Sequence, residues 1–332
     1  MRVFLTGGTG LLGSHLARLL REAGHGVVAL ARPGADTRLL TGWGCTIFHG
    51  DVRDPADALS RGMERCTHLV HGAALVYADG SWPAVKAVNV DGTRRVFEAA
   101  ARAGVGHATH LSSIAAYGPV EGPVDEADLP GTDHLPADVY GRSKRLSEEE
   151  VREVEAGSSL GVTVVRPSAV YGEYDRLMIP AVARILRGPV AFLLGPGDNP
   201  LPVVYAGNVA TALLAVMEAG RGKTTYNVAL DHPISQRDLF GGIAAGMGRS
   251  PRMVSVPAGV VRNGAVLLER MRVGTPGAKH LPLTRVVRLA LGDNPYPSIR
   301  IRVELGWTPA HTHHEALRRS ARWWFENKRG AS

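Results

Sequence analysis

Cysteine is scarce in this 332-residue chain: only Cys45 and Cys66 are present. Neither stands in a metal-ligand spacing or a CxxC pair, which argues against a disulfide framework, a zinc site and thiol redox chemistry. The two read as small buried hydrophobes of a reducing compartment. Long apolar runs are missing as well. No stretch reaches the roughly 18 apolar residues of a spanning helix, so no membrane span is expected. The first strand-like run begins at Arg2, which leaves no length for a signal peptide, and the address expected is cytoplasmic. Aromatics make up 6% and do not interleave with basic residues as a stacking platform would. The basic residues, almost all arginine, form no run. The net charge of +7 is therefore read as solubility with a weaker pull on small anions, and no nucleic-acid partner is expected. No metal site, internal repeat or low-complexity tract is found.

What is present begins at the N-terminus. Val3-Phe4-Leu5-Thr6 is a β-branched and apolar run, a glycine cluster follows, and Leu12, Leu16, Leu19 and Leu20 recur at helical spacing. Strand, tight turn and helix together make the entry to a dinucleotide-binding βαβ unit. Gly7, Gly10 and Gly13 follow a Gly-x-x-Gly-x-x-Gly spacing. One glycine turns the chain, one lets backbone N–H groups approach a pyrophosphate, and Gly13 lets the helix pack close to the strand. The phosphates then lie at the helix N-terminus, by Leu11 and Leu12, where unpaired N–H groups and the macrodipole favour anions.

Strand and helix patterns then alternate, as a parallel sheet covered on both faces requires. Strands are predicted at 27–30, 46–49, 68–71, 108–111 and 162–167. Helices are predicted from Gly13 to about Ala23, over 82–103, and from about Val139. A loop rich in Pro, Gly and Asp fills 118–138. Beyond about Val170 the alternation weakens, but a strand at 203–205, a helix at 208–219 and a late strand at 224–230 return to the core. The last third is predicted mostly helical, ending with a helix over 315–327. The fold class expected is α/β: a Rossmann-type, doubly wound parallel sheet over residues 1–170. A smaller, mostly helical C-terminal substrate lobe over 171–332 follows, with segments at about 203–230 returning to the Rossmann core.

Cofactor choice is read at the end of the second strand. An enzyme that binds NAD usually places an acid there for the ribose 2′-hydroxyl. This chain has Arg32, followed by Pro33-Gly34, and a guanidinium there suits a 2′-phosphate. NADP(H) is the cofactor expected, with NAD(H) as the alternative. Asp51, with Val52 beside it, is a candidate acceptor for the adenine amino group; its other reading is a turn or cap aspartate. Tyr140 and Lys144 are four residues apart, which puts them on one helix face. A tyrosine with a pKa near ~10 is a poor acid or base at neutral pH, and an adjacent ammonium favours its phenolate. Ser112-Ser113 ends the preceding strand, where a hydroxyl can hold a substrate oxygen in line with Tyr140.

These residues resemble the extended short-chain dehydrogenase/reductases, of the NAD-dependent epimerase/dehydratase type. The resemblance runs through Thr6–Gly13, Gly50-Asp51-Val52, His71-Gly72-Ala73-Ala74 and Asn89-Val90-Asp91-Gly92-Thr93. It continues through Leu111-Ser112-Ser113, Tyr140-Gly141-Arg142-Ser143-Lys144, Arg166-Pro167-Ser168-Ala169-Val170-Tyr171-Gly172 and, near the end, Leu305-Gly306-Trp307. It implies a Ser/Tyr/Lys catalytic set, Ser113, Tyr140 and Lys144, in which Ser113 is selected over Ser112 by its four-residue spacing to Tyr117. Lys144 would also hold the nicotinamide ribose, Asn89 would lie near the active site, Pro167 and Ser168 along the nicotinamide, and Ala73 and Ala74 against the cofactor. Relatives often dimerise through helices matching 85–103 and 139–154, so a homodimer is the assembly expected.

Three features choose among branches of the family. Ser112-Ser113-Ile114 stands where dehydratases carry Thr-Asp-Glu. Leu201 stands at the approximate place of one arginine that clamps a sugar-nucleotide diphosphate, and Leu289-Ala290-Leu291 before Gly292-Asp293 at that of a second, with Arg285 and Arg288 as available substitutes. Val204–Ala210 looks like the matching turn of 3β-hydroxysteroid dehydrogenases, and Arg32-Pro33-Gly34 like dihydroflavonol-4-reductase relatives. The reading is an NADP(H)-dependent oxidoreductase that interconverts a ketone and a secondary alcohol on an apolar, cyclic small molecule, with Tyr140 as general acid/base. Candidate pocket residues are Val76, Tyr77, Trp82, Tyr117, Tyr174, Leu177 and Met178, each of which has core or lid packing as its alternative. The alternative function is a sugar-nucleotide epimerase with tightly held NAD. A non-catalytic NADP(H) sensor is disfavoured, since such relatives tend to lose the tyrosine or lysine.

Overall fold

The computed structural model describes residues 1–76, 81–120, 123–127, 135–136, 138–229, 233–264, 287, 291 and 296–329. Its main sheet has seven strands: β1 (Arg2–Thr6), β2 (Gly26–Ala31), β3 (Thr46–His49), β4 (His68–His71), β5 (His107–Leu111), β6 (Gly161–Pro167) and β10 (Thr224–Val228). The order is β10-β6-β5-β4-β1-β2-β3, and every pair is parallel. The chain winds outward from β1 to β3, crosses back to β4, and winds outward again. This is the doubly wound α/β arrangement expected, and its switch point lies between the C-terminal ends of β1 and β4.

The inner strands β1, β2, β4 and β6 are largely buried, and they carry apolar runs, whereas the edge strand β3 is only partly covered. Val3 and Leu5 face one helical layer with Leu16 and Leu20 of α1 (Leu11–Glu22) and Leu213 of α8 (Ala206–Ala219). Phe4 faces the other, with Leu59 of α3 (Ala56–Gly62), Phe97 of α5 (Asp91–Arg102) and Val151 of α6 (Val139–Ala156). The helix predicted over 82–103 is two: α4 (Trp82–Asn89) and α5, parted at Val90 with φ −107° and ψ −67°. The Thr93 hydroxyl donates to Asn89 O at 2.7 Å, the back-bonding that bends helices.

The C-terminal region is less purely helical than predicted. β7 (Ala169–Tyr171) pairs with β9 (Val203–Tyr205), and β8 (Val190–Leu194) with β11 (Arg252–Val256). Around them lie α7 (Met178–Ile185), α9 (Gln236–Gly246), α10 (Ile299–Leu305) and α11 (His313–Arg329), with a separate core that includes Ile179, Leu193, Phe240 and Leu317. The β8–β11 pair was missed because each strand is short and follows a Pro-containing turn. Among the described residues, no helix is long and apolar enough to cross a membrane. Cys45 and Cys66 are both free and buried, and burial raises both thiol pKa values.

Candidate active site and dinucleotide cradle

The glycine loop closes on the switch point. Gly7 has φ +76°, and a Cβ there would lie 2.6 Å from the backbone carbon of Gly72. The ends of β1 and β4 thus touch through backbone alone. Gly13 serves the loop rather than the strand: its Cβ would lie 2.1 Å from Gly7 O. The loop turns through Gly10 N donating to Gly7 O at 3.0 Å. Gly10 begins α1 in extended geometry and gives it no side-chain cap, so the N–H groups of Leu11 and Leu12 are left for an external acceptor.

A hydrogen-bonded chain ties this loop to the far side of the cleft. Thr6 Oγ1 accepts from Ala73 N at 3.1 Å and shares a 2.8 Å bond with His71 Nδ1. His71 Nε2 meets Thr93 Oγ1 at 3.0 Å. Asn89 accepts from Leu75 N, donates to Leu75 O, and donates to Ser143 Oγ at 2.9 Å. Ser143 in turn donates to Tyr140 O at 2.8 Å. The break between α4 and α5 is what leaves Asn89 at a helix end, free to make these three bonds.

Tyr140 lies in the first turn of α6, half-buried, and Lys144 one turn later, buried. Lys144 Nζ is 5.9 Å from the Tyr140 ring centroid and donates to Leu111 O at 2.6 Å. Burial pushes the Lys144 pKa down to about 8, against the raising effect of the Glu148 carboxylate. Ser113 caps a short 3-10 turn, Ile114–Tyr117, by accepting from Ala115 N at 3.2 Å. Ser112 is buried and donates to Glu148. Gly141 explains how the two segments come together: a Cβ there would lie 2.5 Å from Ala115 O. Only glycine lets α6 close on the turn that carries Ser113.

The remaining predicted residues take the following places. Arg32 is exposed just past the end of β2. Asp51 is engaged by Arg53, with Nε–Oδ1 at 2.8 Å and Nη2–Oδ2 at 3.0 Å. That pairing, and to a smaller degree Arg32, holds its carboxyl below the usual range. Val52 is buried in the sheet core. Pro167 ends β6, and Ser168 Oγ donates to Ala229 O at 2.8 Å. Trp82 lies under the Arg142 guanidinium, 4.3 Å from its ring centroid. Tyr117 is buried; its hydroxyl accepts from Arg166 Nη1 at 2.7 Å and donates to Asn227 Oδ1 at 2.9 Å. Tyr174 packs instead on His15, Trp43 and Trp323. Val76 and Leu177 are exposed, and Met178 packs on the C-terminal core. Leu201 is buried in that same core. Tyr77, Arg285, Arg288, Leu289, Ala290, Gly292 and Asp293 lie outside the described residues.

Two features escaped sequence reasoning. One is the fully buried pair Arg166–Glu148, joined by Nε–Oε1 at 2.9 Å and Nη2–Oε2 at 2.7 Å. Its signal was a lone arginine closing a β-branched strand; Glu148 hid in a Glu-Glu-Glu run that reads as solvated. The other is the buried stack of His71 on His110, 5.7 Å between centroids and 16° between planes. Parallel register pairs these two histidines across β4 and β5.

An exposed cation beyond β2, free helix-terminal donors and a glycine cradle define a nucleotide-binding Rossmann protein, with Ser113 just past the C-terminal end of β5 and Tyr140 and Lys144 on α6, which closes on the Ser113 turn. The family model of the NAD dependent epimerase/dehydratase family matches residues 3–229, and the chain belongs to that family, the extended short-chain dehydrogenase/reductases. It is 29% identical over 337 residues to a 2-alkyl-3-oxoalkanoate reductase of Stenotrophomonas maltophilia, covering 96% of this chain and 98% of that protein. It is 37% identical over 246 residues to sterol demethylase protein B of Methylococcus capsulatus, covering 70% of each. Among solved structures, DesIV, a dTDP-glucose 4,6-dehydratase from Streptomyces venezuelae with NAD bound, is 25% identical with a TM-score of 0.75, covering 99% of this chain and 98% of that one. The chain is thus an enzyme of the dehydrogenase/reductase class that works with a nicotinamide dinucleotide.

Proposed function

We propose that the protein is an NADP(H)-dependent oxidoreductase that interconverts a ketone and a secondary alcohol on an apolar, cyclic small molecule. The observation that carries the reading is the junction of the Ser113 turn and the Tyr140–Lys144 helix, closed through Gly141. The cradle fits a dinucleotide: a Cβ at Gly7 or Gly13 would strike neighbouring backbone, so the tight turn is open only to glycine, and the first N–H groups of α1 face no side-chain cap. Gly7, Gly10, Leu11, Leu12 and Gly13 would hold the pyrophosphate, Arg32 the 2′-phosphate, and Ala73, Ala74, Lys144, Pro167 and Ser168 the nicotinamide half. When bound, the cofactor supplies or accepts the hydride.

Ser113 orients the carbonyl or carbinol oxygen. Tyr140 gives that oxygen a proton in reduction and takes it in oxidation. The buried Lys144 ammonium stabilises negative charge on the Tyr140 oxygen in a site of low dielectric. Residues from 171 onward outside the main sheet would form the substrate lobe. The polarity of the substrate is inferred from Leu201, buried where a clamp for a sugar-nucleotide diphosphate would stand, and agrees with the reductase and sterol-enzyme relatives. A homodimer through the outer faces of α5 and α6 goes with this reading.

The test is turnover with NADPH or NADH across a panel of cyclic and alkyl ketones, with UDP- and dTDP-sugars as the competing class. NADPH oxidation that requires a ketone is expected, and Tyr140→Phe is expected to lower it by about 10²-fold or more. Epimerisation of a UDP-sugar without net redox, or Tyr140→Phe at full rate, would overturn the assignment.

A further inference from the structure

Lys144 is a buried ammonium, and burial alone favours its neutral form. The charged and titratable groups that face Lys144, or that face its neighbours Glu148 and His110, come from four elements. α6 supplies Tyr140, Arg145, Glu148 and Arg152; β4 supplies His71, β5 His110, and β6 Arg166. The two imidazoles are wholly buried, and burial together with the Lys144 charge keeps both neutral. Of the others, Tyr140 is the phenol that Lys144 serves, three are arginines, and one is a carboxylate. Glu148 lies one turn beyond Lys144 on the same helix face and is fully buried.

Both Glu148 oxygens are occupied in a fixed geometry. Oε1 accepts from Arg166 Nε and from Ser112 Oγ, and Oε2 from Arg166 Nη2. Arg166 is itself held from below, donating to Tyr117 OH and Glu126 O. A buried ion pair of this kind contributes little net stability compared with apolar residues of the same shape. Its placement does something else. It fixes a carboxylate between Ser112, the neighbour of Ser113, and the lysine that serves Tyr140. We propose that Glu148, clamped by Arg166 and Ser112 one turn from Lys144, is a positioning residue whose charge keeps Lys144 an ammonium beside Tyr140 and the dinucleotide ribose. This rests on the cofactor reading above.

The readout is dinucleotide affinity against pH, measured by fluorescence of bound NADPH and NADH from pH 6.5 to 9.5. Affinity in the wild type is expected to fall as Lys144 deprotonates, and Lys144→Met should flatten that fall. Glu148→Gln leaves a neutral acceptor and is expected to move the midpoint down by about one pH unit or more. The pair variant Glu148→Met with Arg166→Met removes both partners of the ion pair, so no guanidinium is left buried without its carboxylate, and it serves as the second variant should Glu148→Gln fail to fold; its midpoint should move the same way by less. A purely structural role predicts altered melting with an unmoved midpoint. Folded variants whose midpoint matches the wild type overturn the proposal while leaving the cofactor reading intact. A wild type that binds neither dinucleotide overturns both.

Discussion

The buried histidine stack gives the enzyme a steep and assignable sensitivity to acid. His71 has a pKa lowered to about 3, by burial first and the Lys144 charge second; His110 is likewise held well below the ordinary value. His71 is therefore neutral when folded at any pH above 5, and His110 is held toward the neutral form in the same way, whereas an unfolded chain protonates both near pH ~6.5. The unfolded state binds more protons as pH falls through that value, so stability is complete above it and is lost below it. By pH 5 His71 alone costs about 2 kcal/mol of unfolding free energy relative to pH 8, and His110 acts in the same direction. Other histidines depressed by partial burial, such as His15 and His107, act with the same sign, so the total loss does not identify the pair. A difference in slope does. His110→Leu removes one titrating group, and His110 Nδ1 has no partner to lose. Between pH 6 and 5 the fall in stability should be smaller in this variant, by no more than the roughly 1.4 kcal/mol that one proton per pH unit allows, whatever its stability at pH 8. Urea unfolding at pH 5, 6, 7 and 8, with a common m-value, supplies the slopes. Parallel wild-type and variant curves would show that His110 titrates alike folded and unfolded, and the argument from burial would be wrong.

Two further perturbations follow from the site. A Lys144 pKa of about 8, against an unfolded value near ~10.4, means that burying the ammonium costs up to about 3 kcal/mol at neutral pH; the folded state binds fewer protons, so this cost is present below pH 8 and disappears as pH rises past the unfolded value. Lys144→Met should therefore melt higher than the wild type at pH 7 while losing turnover, and a lower melting temperature would contradict the burial cost. Arg32→Ser should weaken NADPH binding by about 10- to 100-fold through loss of a charge-assisted contact and leave NADH within about 2-fold; equal losses in titration calorimetry would remove the 2′-phosphate assignment.

The main sheet was legible because its strands are short apolar or β-branched runs bounded by turn residues. The predicted strand at 68–71 matches β4 to the residue, and that at 46–49 matches β3. What was lost had local causes. The α4–α5 break depends on a side-chain hydroxyl, not on a glycine or proline, so no punctuation marked it. In the C-terminal region, short strands pair with partners about 60 residues away, as Val190 does with Arg252, and nothing local reports such pairing. Within the site, Ser113, Tyr140 and Lys144 could be nominated because their spacing is a motif. Their supports could not. Glu148 and Arg166 are 18 residues apart in sequence and meet only because α6 packs back on β6. The aromatic pocket candidates scattered for a related reason: Tyr117 and Tyr174 are adjacent to motifs in sequence, but their rings contribute to two different packing clusters.

The choice between a reductase and an epimerase turns on whether the cofactor leaves. A reductase must exchange its dinucleotide at every turnover, whereas an epimerase returns the hydride to its own substrate and gains from retaining it. Retention needs contacts that bury the adenosine end. Here Arg32 is exposed, and its acidic neighbour Asp51 is already engaged by a second cation, Arg53. A solvent-exposed charge contact of that kind discriminates between phosphate and hydroxyl while adding little to residence time. The substrate side argues in the same direction. A nucleoside diphosphate carries two charges that an apolar wall cannot pair, and at the approximate clamp position Leu201 is packed into a core with Ile234 and Leu239. An arginine placed there would have to bury its guanidinium among those side chains, so restoring the clamp would take repacking of the lobe rather than a single substitution.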